Sequence, residues 1–352
     1  MVVETLRWEG GLEGHVVLLE QTLLPHEERR IRIESVPAMV DAIYRLAVRG
    51  APAIGIAGAY GLVLGIQDLA AESPLDLVAR ARETAAILDR ARPTAVNLRW
   101  ALERMLARAE RELAAGSPVR ELAQALLEES LAIHAEDAQQ CRRMGEFGAE
   151  FIQDGMTLMT HCNAGALATG GIGTALAPMY VAQERGLKFE VLADETRPLL
   201  QGARITAWEL ARAGIGVHVL VDGAAGGILA SGRVDAIFVG SDRIAANGDV
   251  CNKVGTYGLA VLAERHGVPF YVVAPRSTFD PRAKSGAEIP IEMRPANEVA
   301  ELGGQRLASA GVGFLNPAFD VTPAELVSAI ICEVGALPRP NADSIKSALG
   351  MQ

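Results

Sequence analysis

The spacing of apolar residues predicts a mainly helical first half with a small β entry. Apolar residues recur at helical intervals, and prolines and glycines interrupt the pattern between successive segments. Two short runs, residues 15–20 and 30–33, have the composition of strands. We predict helices over residues 36–48, 51–66, 74–89 and 97–114 and a long helix over residues 118–153.

The second half has a different pattern, in which short apolar runs alternate with helical segments. The runs cover residues 156–160, 189–193, 217–221, 236–240 and 270–274. Strands that alternate with helices form a parallel sheet covered by those helices. The predicted fold class is therefore α/β, with the mainly helical N-terminal domain followed by a Rossmann-like C-terminal domain. We place the boundary in the long helix, which gives domains 1–125 and 126–352.

The first apolar run of the second half ends in Thr-His-Cys-Asn and is followed by a glycine-rich stretch, residues 165–173. Open α/β sheets bind ligands at the carboxyl edge of their strands, so Cys162 is expected at a binding crevice. A helical pattern resumes at Gly171, and we expect the N–H groups of that helix start to face an anion. The glycines do not form a dinucleotide fingerprint, because Leu176 stands where its third glycine would be.

Two side chains at predicted strand ends are candidates for acid–base or thiol chemistry. Asp242 follows a hydrophobic run, and desolvation there would let it hold a proton and act as a general acid. A pKa raised from about 4 to about 7 corresponds to about 4 kcal/mol, which requires a dry pocket. For Cys162, a helix N-terminus would favour the thiolate and an apolar pocket the thiol. The alternatives are an aspartate that caps a turn and a cysteine that only packs.

Other polar residues stand where they could bind an anion or a hydroxyl group. Arg49 precedes Gly50 and Ala51 at the start of a helix that begins with a proline, which is a suitable seat for a phosphate. Asn252 and Lys253 precede a further predicted helix from about residue 254 and could hold a hydroxyl and a charged oxygen. Ordinary turns with solvated charges are the alternative. That alternative also applies to two further candidates, Arg92 and Gln201.

Composition narrows the class of protein. The chain has 352 residues, of which 50% are apolar and 22% charged, and its net charge of -10 argues against a nucleic-acid surface. Four cysteines without paired spacing indicate neither a zinc site nor a disulfide framework, so we expect a reducing cytoplasm. The longest apolar stretch, residues 51–66, is shorter than the roughly 20 residues of a membrane span. Motifs of metalloproteases, calcium sensors and α/β-hydrolases are missing from the sequence.

Six motifs together resemble the methylthioribose-1-phosphate isomerases of the translation initiation factor 2B α/β/δ-like family. The resemblance extends over nearly the whole chain. The motifs are Arg-Gly-Ala-Pro-Ala-Ile-Gly at residues 49–55, Arg-Pro-Thr-Ala-Val-Asn-Leu at 92–98, Thr-His-Cys-Asn-Ala-Gly-Ala-Leu-Ala-Thr at 160–169, Asp-Glu-Thr-Arg-Pro-x-x-Gln-Gly at 194–202, Gly-x-Asp-Arg-Ile-Ala-x-Asn-Gly-Asp at 240–249 and Asn-Lys-x-Gly-Thr at 252–256.

The resemblance implies an aldose–ketose isomerase that converts 5-methylthioribose 1-phosphate to 5-methylthioribulose 1-phosphate in methionine salvage. It implies no metal or organic cofactor, no membrane or nucleic-acid partner, and a homodimer. The family's catalytic pair falls on Cys162, as base or transition-state stabiliser, and Asp242, as acid. Its substrate-binding positions fall on Arg49, Gly50, Ala51, Arg92, Gln201, Asn252 and Lys253.

Two rival functions remain open at this point. One is an isomerase of ribose 1,5-bisphosphate, which would need a second anion site where the methylthio group should lie. The other is a noncatalytic regulatory subunit that binds a sugar phosphate. The presence of both Cys162 and Asp242 argues against the second rival.

Overall fold

The computed structural model describes residues 2–67, 73–92 and 95–350, which form two compact units. The N-terminal unit comprises Val2–Arg142 and the short segment Gly165–Gly173. The C-terminal unit comprises Arg143–Ala164 and residues 174–350. The first stretch of the N-terminal unit thus ends within the long helix. The domain boundary after residue 125 stays a prediction.

The N-terminal unit consists of a small antiparallel sheet and a set of helices. The sheet has the order β1-β2-β3, with strands β1 (Leu6–Glu9), β2 (His15–Leu19) and β3 (Arg30–Ile33). The helices are α1 (Val36–Tyr44), α2 (Ala51–Leu64), α3 (Pro74–Asp89), α4 (Val96–Ala114) and α5 (Val119–Ala149), of which α5 continues into the C-terminal unit. Helix α2 is buried along almost its whole length and forms the centre of this unit's hydrophobic core. Helix α3 begins with a capping box between Ser73 and Asp76, which explains its sharp start.

The C-terminal unit is built on a seven-stranded sheet in the order β16-β15-β10-β7-β4-β5-β6. All neighbours are parallel except β15 and β16. Its strands are β4 (Thr157–Thr160), β5 (Glu190–Asp194), β6 (Gly216–Leu220), β7 (Ala236–Val239), β8 (Arg243–Ala245), β9 (Val250–Lys253), β10 (Phe270–Val273), β11 (Phe279–Asp280), β12 (Glu301–Leu302), β13 (Gln305–Arg306), β14 (Phe319–Thr322), β15 (Ala329–Cys332) and β16 (Gly335–Pro338). The helices are α6 (Ala177–Glu184), α7 (Ala207–Arg212), α8 (Ala225–Ala230), α9 (Thr256–His266), α10 (Asn297–Ala300) and α11 (Ala342–Leu349). The predicted α/β fold class is confirmed.

A second sheet stands beside the large one and was not predicted. It has the order β11-β8-β9-β14, and the pairs β8/β9 and β9/β14 are antiparallel. Strand β9 is buried at every position and ends in Asn252 and Lys253. This sheet therefore fixes the position of two of the predicted substrate-binding residues.

The prediction that a helix starts at Gly171 is wrong. Helix α6 begins only at Ala177, and Ala166–Ala168 forms a single 3₁₀ turn. Side chains of the N-terminal unit bond the backbone of this glycine-rich segment: Thr5 Oγ1 donates to Ala166 O at 2.6 Å, and Gly170 N donates to Asp137 Oδ2 at 2.6 Å. A Cβ on Gly171 would lie 2.8 Å from Ala138 Cα. The glycines serve close packing rather than a helix start that faces an anion.

Hydropathy along the helices bears on membrane partners. Within the part of the chain that the structure describes, no helix combines the length and apolar character needed to cross a bilayer. This agrees with the sequence expectation for residues 51–66.

Candidate active site

Three neighbouring parallel strands, β7, β4 and β5, end at one edge of the large sheet. Cys162 follows β4 and Asp242 follows β7. The loops after these two strands touch, because a Cβ placed on Gly240 would lie 2.7 Å from the Cβ of Ala164. Gln201 lies in the segment after β5. The carboxyl edge of the sheet therefore collects these three side chains, as the strand-end rule predicts.

Cys162 is half-buried and has a left-handed backbone conformation, with φ of 63°. This conformation costs a residue with a Cβ roughly 1–2 kcal/mol. Both of its peptide groups are bonded: Cys162 N donates to Thr196 Oγ1 at 2.8 Å, and Thr206 Oγ1 donates to Cys162 O at 2.6 Å. The surrounding structure thus holds the cysteine in a strained geometry at a place where thiol chemistry is expected.

Asp242 is half-buried and lies directly beside strand β9. Its backbone N–H donates to Cys251 O at 3.0 Å. Burial, reinforced by the Asp242 carboxylate, raises the pKa of Cys251 to about 12, so this second thiol stays neutral at physiological pH. The next residue, Arg243, forms an ion pair with Asp280 at 3.5 Å.

Asn252, Lys253 and Gln201 are buried polar side chains of the same unit. Asn252 Nδ2 donates to Thr256 Oγ1 at 3.0 Å. Lys253 Nζ lies 5.1 Å from the centre of the Phe319 ring, a cation–π contact. Gln201 Oε1 is buried and has no hydrogen-bond partner among the described residues. Such an unsatisfied buried amide is unusual and is characteristic of a group that awaits a ligand.

His161 adjoins Cys162 and joins two parts of the edge. Its Nδ1 lies 3.0 Å from Asp194 Oδ2, and its Nε2 donates to Val254 O at 2.9 Å. Burial lowers the pKa of the His161 imidazole, but the hydrogen bond and charge of Asp194, together with the Val254 carbonyl and the Asp222 charge, outweigh burial, so the pKa of His161 is raised. The ring therefore connects the end of β5 with the loop that follows Lys253.

His161, Asp194 and Asp222 place potential metal-ligand atoms within 4.8 Å of one another. Each residue already has protein partners. Both ring nitrogens of His161 are bonded, and Asp222 accepts hydrogen bonds from Thr196 N at 2.8 Å and Arg197 N at 2.7 Å. These contacts give the cluster the character of a hydrogen-bonded support for the loop after β5.

A second buried network lies behind Cys162. Asn163 Nδ2 donates to Thr206 Oγ1 at 3.1 Å and to Glu209 Oε1 at 2.9 Å. Tyr180 O–H donates to Glu209 Oε2 at 3.2 Å, and burial raises the pKa of Tyr180, which keeps the phenol protonated. The segment Gly202–Thr206, a π-helix, is joined through this network to the loop that carries Cys162.

The remaining predicted site residues lie in the N-terminal unit. Gly50 has φ of 92° and precedes Ala51, the first residue of α2. A Cβ on Gly50 would lie 2.5 Å from Ala168 Cα, so only glycine fits beside the glycine-rich segment. Arg49 is buried and Arg92 is half-buried. In the motif that starts at Arg92, Pro93 and Thr94 lie outside the described residues.

Several residues now visible at the edge were not predicted from the sequence. Cys162, Asp242, Gln201, Asn252 and Lys253 all belong to the C-terminal unit, and of these Cys162 and Asp242 were expected at strand ends. The supporting residues Thr196 and Thr206 were missed, because a threonine hydroxyl gives no local sign of a hydrogen-bond partner far along the chain.

This chain, which has a two-unit α/β architecture, matches the model of the Initiation factor 2 subunit family over residues 47–339. The chain belongs to this family. A methylthioribose-1-phosphate isomerase from Rhodopirellula baltica is 51% identical over 355 residues, which is 99% of this chain and 99% of that protein. The resemblance inferred from the sequence motifs is confirmed, and so is the prediction that the chain is an isomerase.

Two solved structures are also similar over almost the whole chain. One is 5-methylthioribose 1-phosphate isomerase from Pyrococcus horikoshii, with 41% identity, a TM-score of 0.90 and coverage of 99% of this chain and 97% of that chain. The other is subunit delta of translation initiation factor eIF-2B from A. fulgidus, with 40% identity, a TM-score of 0.86 and coverage of 99% and 100%. The fold is thus shared by a protein named as an isomerase and a protein named as a translation initiation factor subunit.

Proposed function

We propose that this protein converts 5-methylthioribose 1-phosphate to 5-methylthioribulose 1-phosphate. The observation that carries the proposal is the pairing of a fixed, half-buried thiol, Cys162, with a carboxyl group, Asp242, at the ends of adjacent strands. The names of its relatives support this substrate. An aldose phosphate of this kind requires an acid to open its ring and a second group to assist movement of hydrogen.

Asp242 is the proposed acid. Phosphate on the anomeric oxygen keeps the sugar in a ring, so the bond between C1 and the ring oxygen must break while the phosphate ester stays intact. Asp242 donates a proton to the ring oxygen, which leaves as the C4 hydroxyl, and C1 gains oxocarbenium character. A water-poor edge strengthens this step, because charges interact more strongly where water is excluded.

Cys162 is the proposed partner in the hydrogen shift. In one route its thiolate removes the proton on C2, which gives an enol phosphate. The thiol then returns this proton to C1, and the C2 hydroxyl proton passes to the Asp242 carboxylate as C2 becomes a ketone. In the other route hydride moves from C2 to C1, and the C2 hydroxyl proton returns to the Asp242 carboxylate while Cys162 stabilises the transition state. Both routes balance and give the same ketose.

The phosphate and hydroxyl groups require their own ligands. We assign substrate binding to Arg49, Arg92, Lys253, Gly50 and Ala51: the arginines and the backbone N–H groups of Gly50 and Ala51 suit a phosphate, and Lys253 suits a charged oxygen. We assign the sugar hydroxyls to Gln201 and Asn252. The unsatisfied Oε1 of Gln201 supports its assignment, because a hydroxyl donor would satisfy it.

We place the reaction in methionine salvage in the cytoplasm, and we expect a homodimer that uses no metal or organic cofactor. The competing function of a regulatory subunit has support from the similarity to the A. fulgidus factor. Such a subunit has no need for a thiol on a strained backbone and a carboxyl group at the ends of adjacent strands, and this favours the enzyme.

A comparison of substrates tests the proposal. Purified protein is incubated separately with 5-methylthioribose 1-phosphate and ribose 1,5-bisphosphate, and ketose formation is followed for each. We expect kcat/KM to be at least about 100-fold higher for the methylthio sugar, because a site built for an apolar group leaves a second phosphate unpaired. A preference for the bisphosphate would overturn the substrate, and no ketose from either sugar would favour the regulatory function.

A further inference from the structure

Thr196 and Thr206 each link a backbone group of Cys162 to another part of the protein through the threonine hydroxyl. Cys162 N donates to Thr196 Oγ1 at 2.8 Å, and Thr196 Oγ1 donates to Asp194 O at 3.0 Å. On the other side, Asn163 Nδ2 donates to Thr206 Oγ1 at 3.1 Å, and Thr206 Oγ1 donates to Cys162 O at 2.6 Å. Each hydroxyl thus both donates and accepts, which fixes its rotation.

Both threonines are held rigidly in the fold. Each is 0% exposed. Thr196 itself has a left-handed backbone, with φ of 65°, and Asp222 accepts a hydrogen bond from its N–H at 2.8 Å. Gly202 packs so closely that a Cβ there would lie 1.7 Å from Asp194 O. The hydroxyls are therefore fixed points against which Cys162 is positioned.

The geometry points to Thr196 and Thr206 as positioning residues for the reaction: their hydroxyls stabilise the left-handed conformation of Cys162 and so aim its thiol. This inference rests on the proposed function of Cys162. A residue with a Cβ leaves the left-handed region readily, and relaxation of φ would swing the Cα–Cβ bond and move Sγ. A thiol displaced by about 1 Å is enough to slow a reaction that depends on orientation.

The first test separates positioning from binding. Thr196→Val and Thr206→Val keep the shape of the side chain and remove the hydroxyl. We expect kcat to fall about tenfold or more in each, equivalent to about 1.4 kcal/mol, while KM stays within about threefold, because both hydroxyls are buried and already donate and accept within the protein. Thr196→Ser and Thr206→Ser restore the hydroxyl and should keep kcat within about threefold of wild type.

Thr322 provides the matched control. It is a 0% exposed threonine of the same unit, in β14, and its hydroxyl has no partner among the described residues. Thr322→Val should leave kcat and KM unchanged. If the valine variants at positions 196 and 206 keep kcat within twofold of wild type, the positioning role is wrong. If a valine variant does not fold, the alanine variant is compared with the serine variant under the same criterion.

A second readout does not depend on isomerase activity. The chain has four cysteines, so NMR of protein with isotopically labelled cysteine resolves the Cys162 amide, identified by its loss in Cys162→Ala. Its hydrogen exchange should speed up about tenfold in Thr196→Val and not in Thr322→Val, because only the first loses the acceptor. Unchanged exchange in Thr196→Val would overturn the positioning role even if the enzyme is active. Faster exchange in Thr196→Val together with an inactive wild-type protein would instead overturn the proposed function and leave the hydrogen bond to Thr196 established.

Discussion

Cys162 is half-buried whereas the other three cysteines are buried, and Asp242 combines partial exposure with a position just past the end of β7. Cys162→Ala and Asp242→Asn should each lower kcat by at least about 1,000-fold, because each removes a group that acts in bond making or breaking. Steady-state kinetics with 5-methylthioribose 1-phosphate measures this. Circular dichroism should show that the fold persists.

The control for the cysteine is Cys332→Ala, which alters a fully buried thiol in β15. It should retain turnover within a fewfold of wild type. Near-normal turnover in Cys162→Ala or Asp242→Asn would remove the role assigned to that residue.

His161 should make folding stability depend on pH. Its pKa is raised in the folded protein above the usual value of 6.5. Protonation of the folded state is then favoured, so the stabilisation is fully present below about pH 6.5 and is lost as pH rises through the folded pKa. We expect the difference in unfolding free energy between wild type and His161→Asn to be larger at pH 6 than at pH 9, as measured by chemical denaturation. A His161→Asn difference that grows between pH 6 and pH 9 would contradict the assigned charge of the ring.

At the scale of secondary-structure elements, the turn from β5 into the π-helix depends on one glycine. A Cβ on Gly202 would lie 1.7 Å from Asp194 O, a backbone atom that cannot move without shifting β5. Gly202→Ala should therefore destabilise the fold by about 3 kcal/mol and abolish activity. Denaturation with urea measures the loss.

Gly258 in α9 provides the comparison, since a Cβ there meets no atom within 4 Å. Gly258→Ala should be neutral or stabilising by up to about 1 kcal/mol, because alanine favours a helix. Equal stability of the two alanine variants would show that the turn tolerates a side chain.

The helices and the parallel strands could be predicted from the sequence because their apolar periodicity is long or repeated. Helix α3 covers the predicted residues 74–89, and the five predicted strands of the large sheet all form. The second sheet was missed because β8 and β9 are short, and β9 is buried at each position, so neither shows alternation. The start of α6 was misplaced because glycine-rich sequence satisfies its backbone with distant side chains.

The proposed catalytic residues could be predicted from the sequence for a similar reason. Strand ends are recognisable locally, and this selected Cys162 and Asp242. The contacts that orient Cys162 join it to Thr196 and Thr206, which lie far along the chain. Only the folded topology brings such partners together, so sequence spacing carried no signal for them.

At the scale of the whole molecule, we expect two copies to associate. Strand β6 forms an open edge of the large sheet, and Val219 on it is 46% exposed. Burial of such an apolar edge against a second copy would stabilise a dimer. Light scattering should give about twice the chain mass of 37.2 kDa. A mass of one chain across a range of concentrations would contradict this expectation.

The proposed reaction moves hydrogen within a sugar phosphate without releasing the phosphate. Phosphorus NMR of 5-methylthioribose 1-phosphate incubated with the purified wild-type protein tests it most directly. With wild-type protein, we predict that the glycosyl phosphate signal is replaced by that of a phosphate on a primary carbon and that no inorganic phosphate appears. With the Cys162→Ala variant, the glycosyl phosphate signal should stay unchanged. An unchanged substrate signal with wild-type protein, or the appearance of inorganic phosphate, would contradict the account.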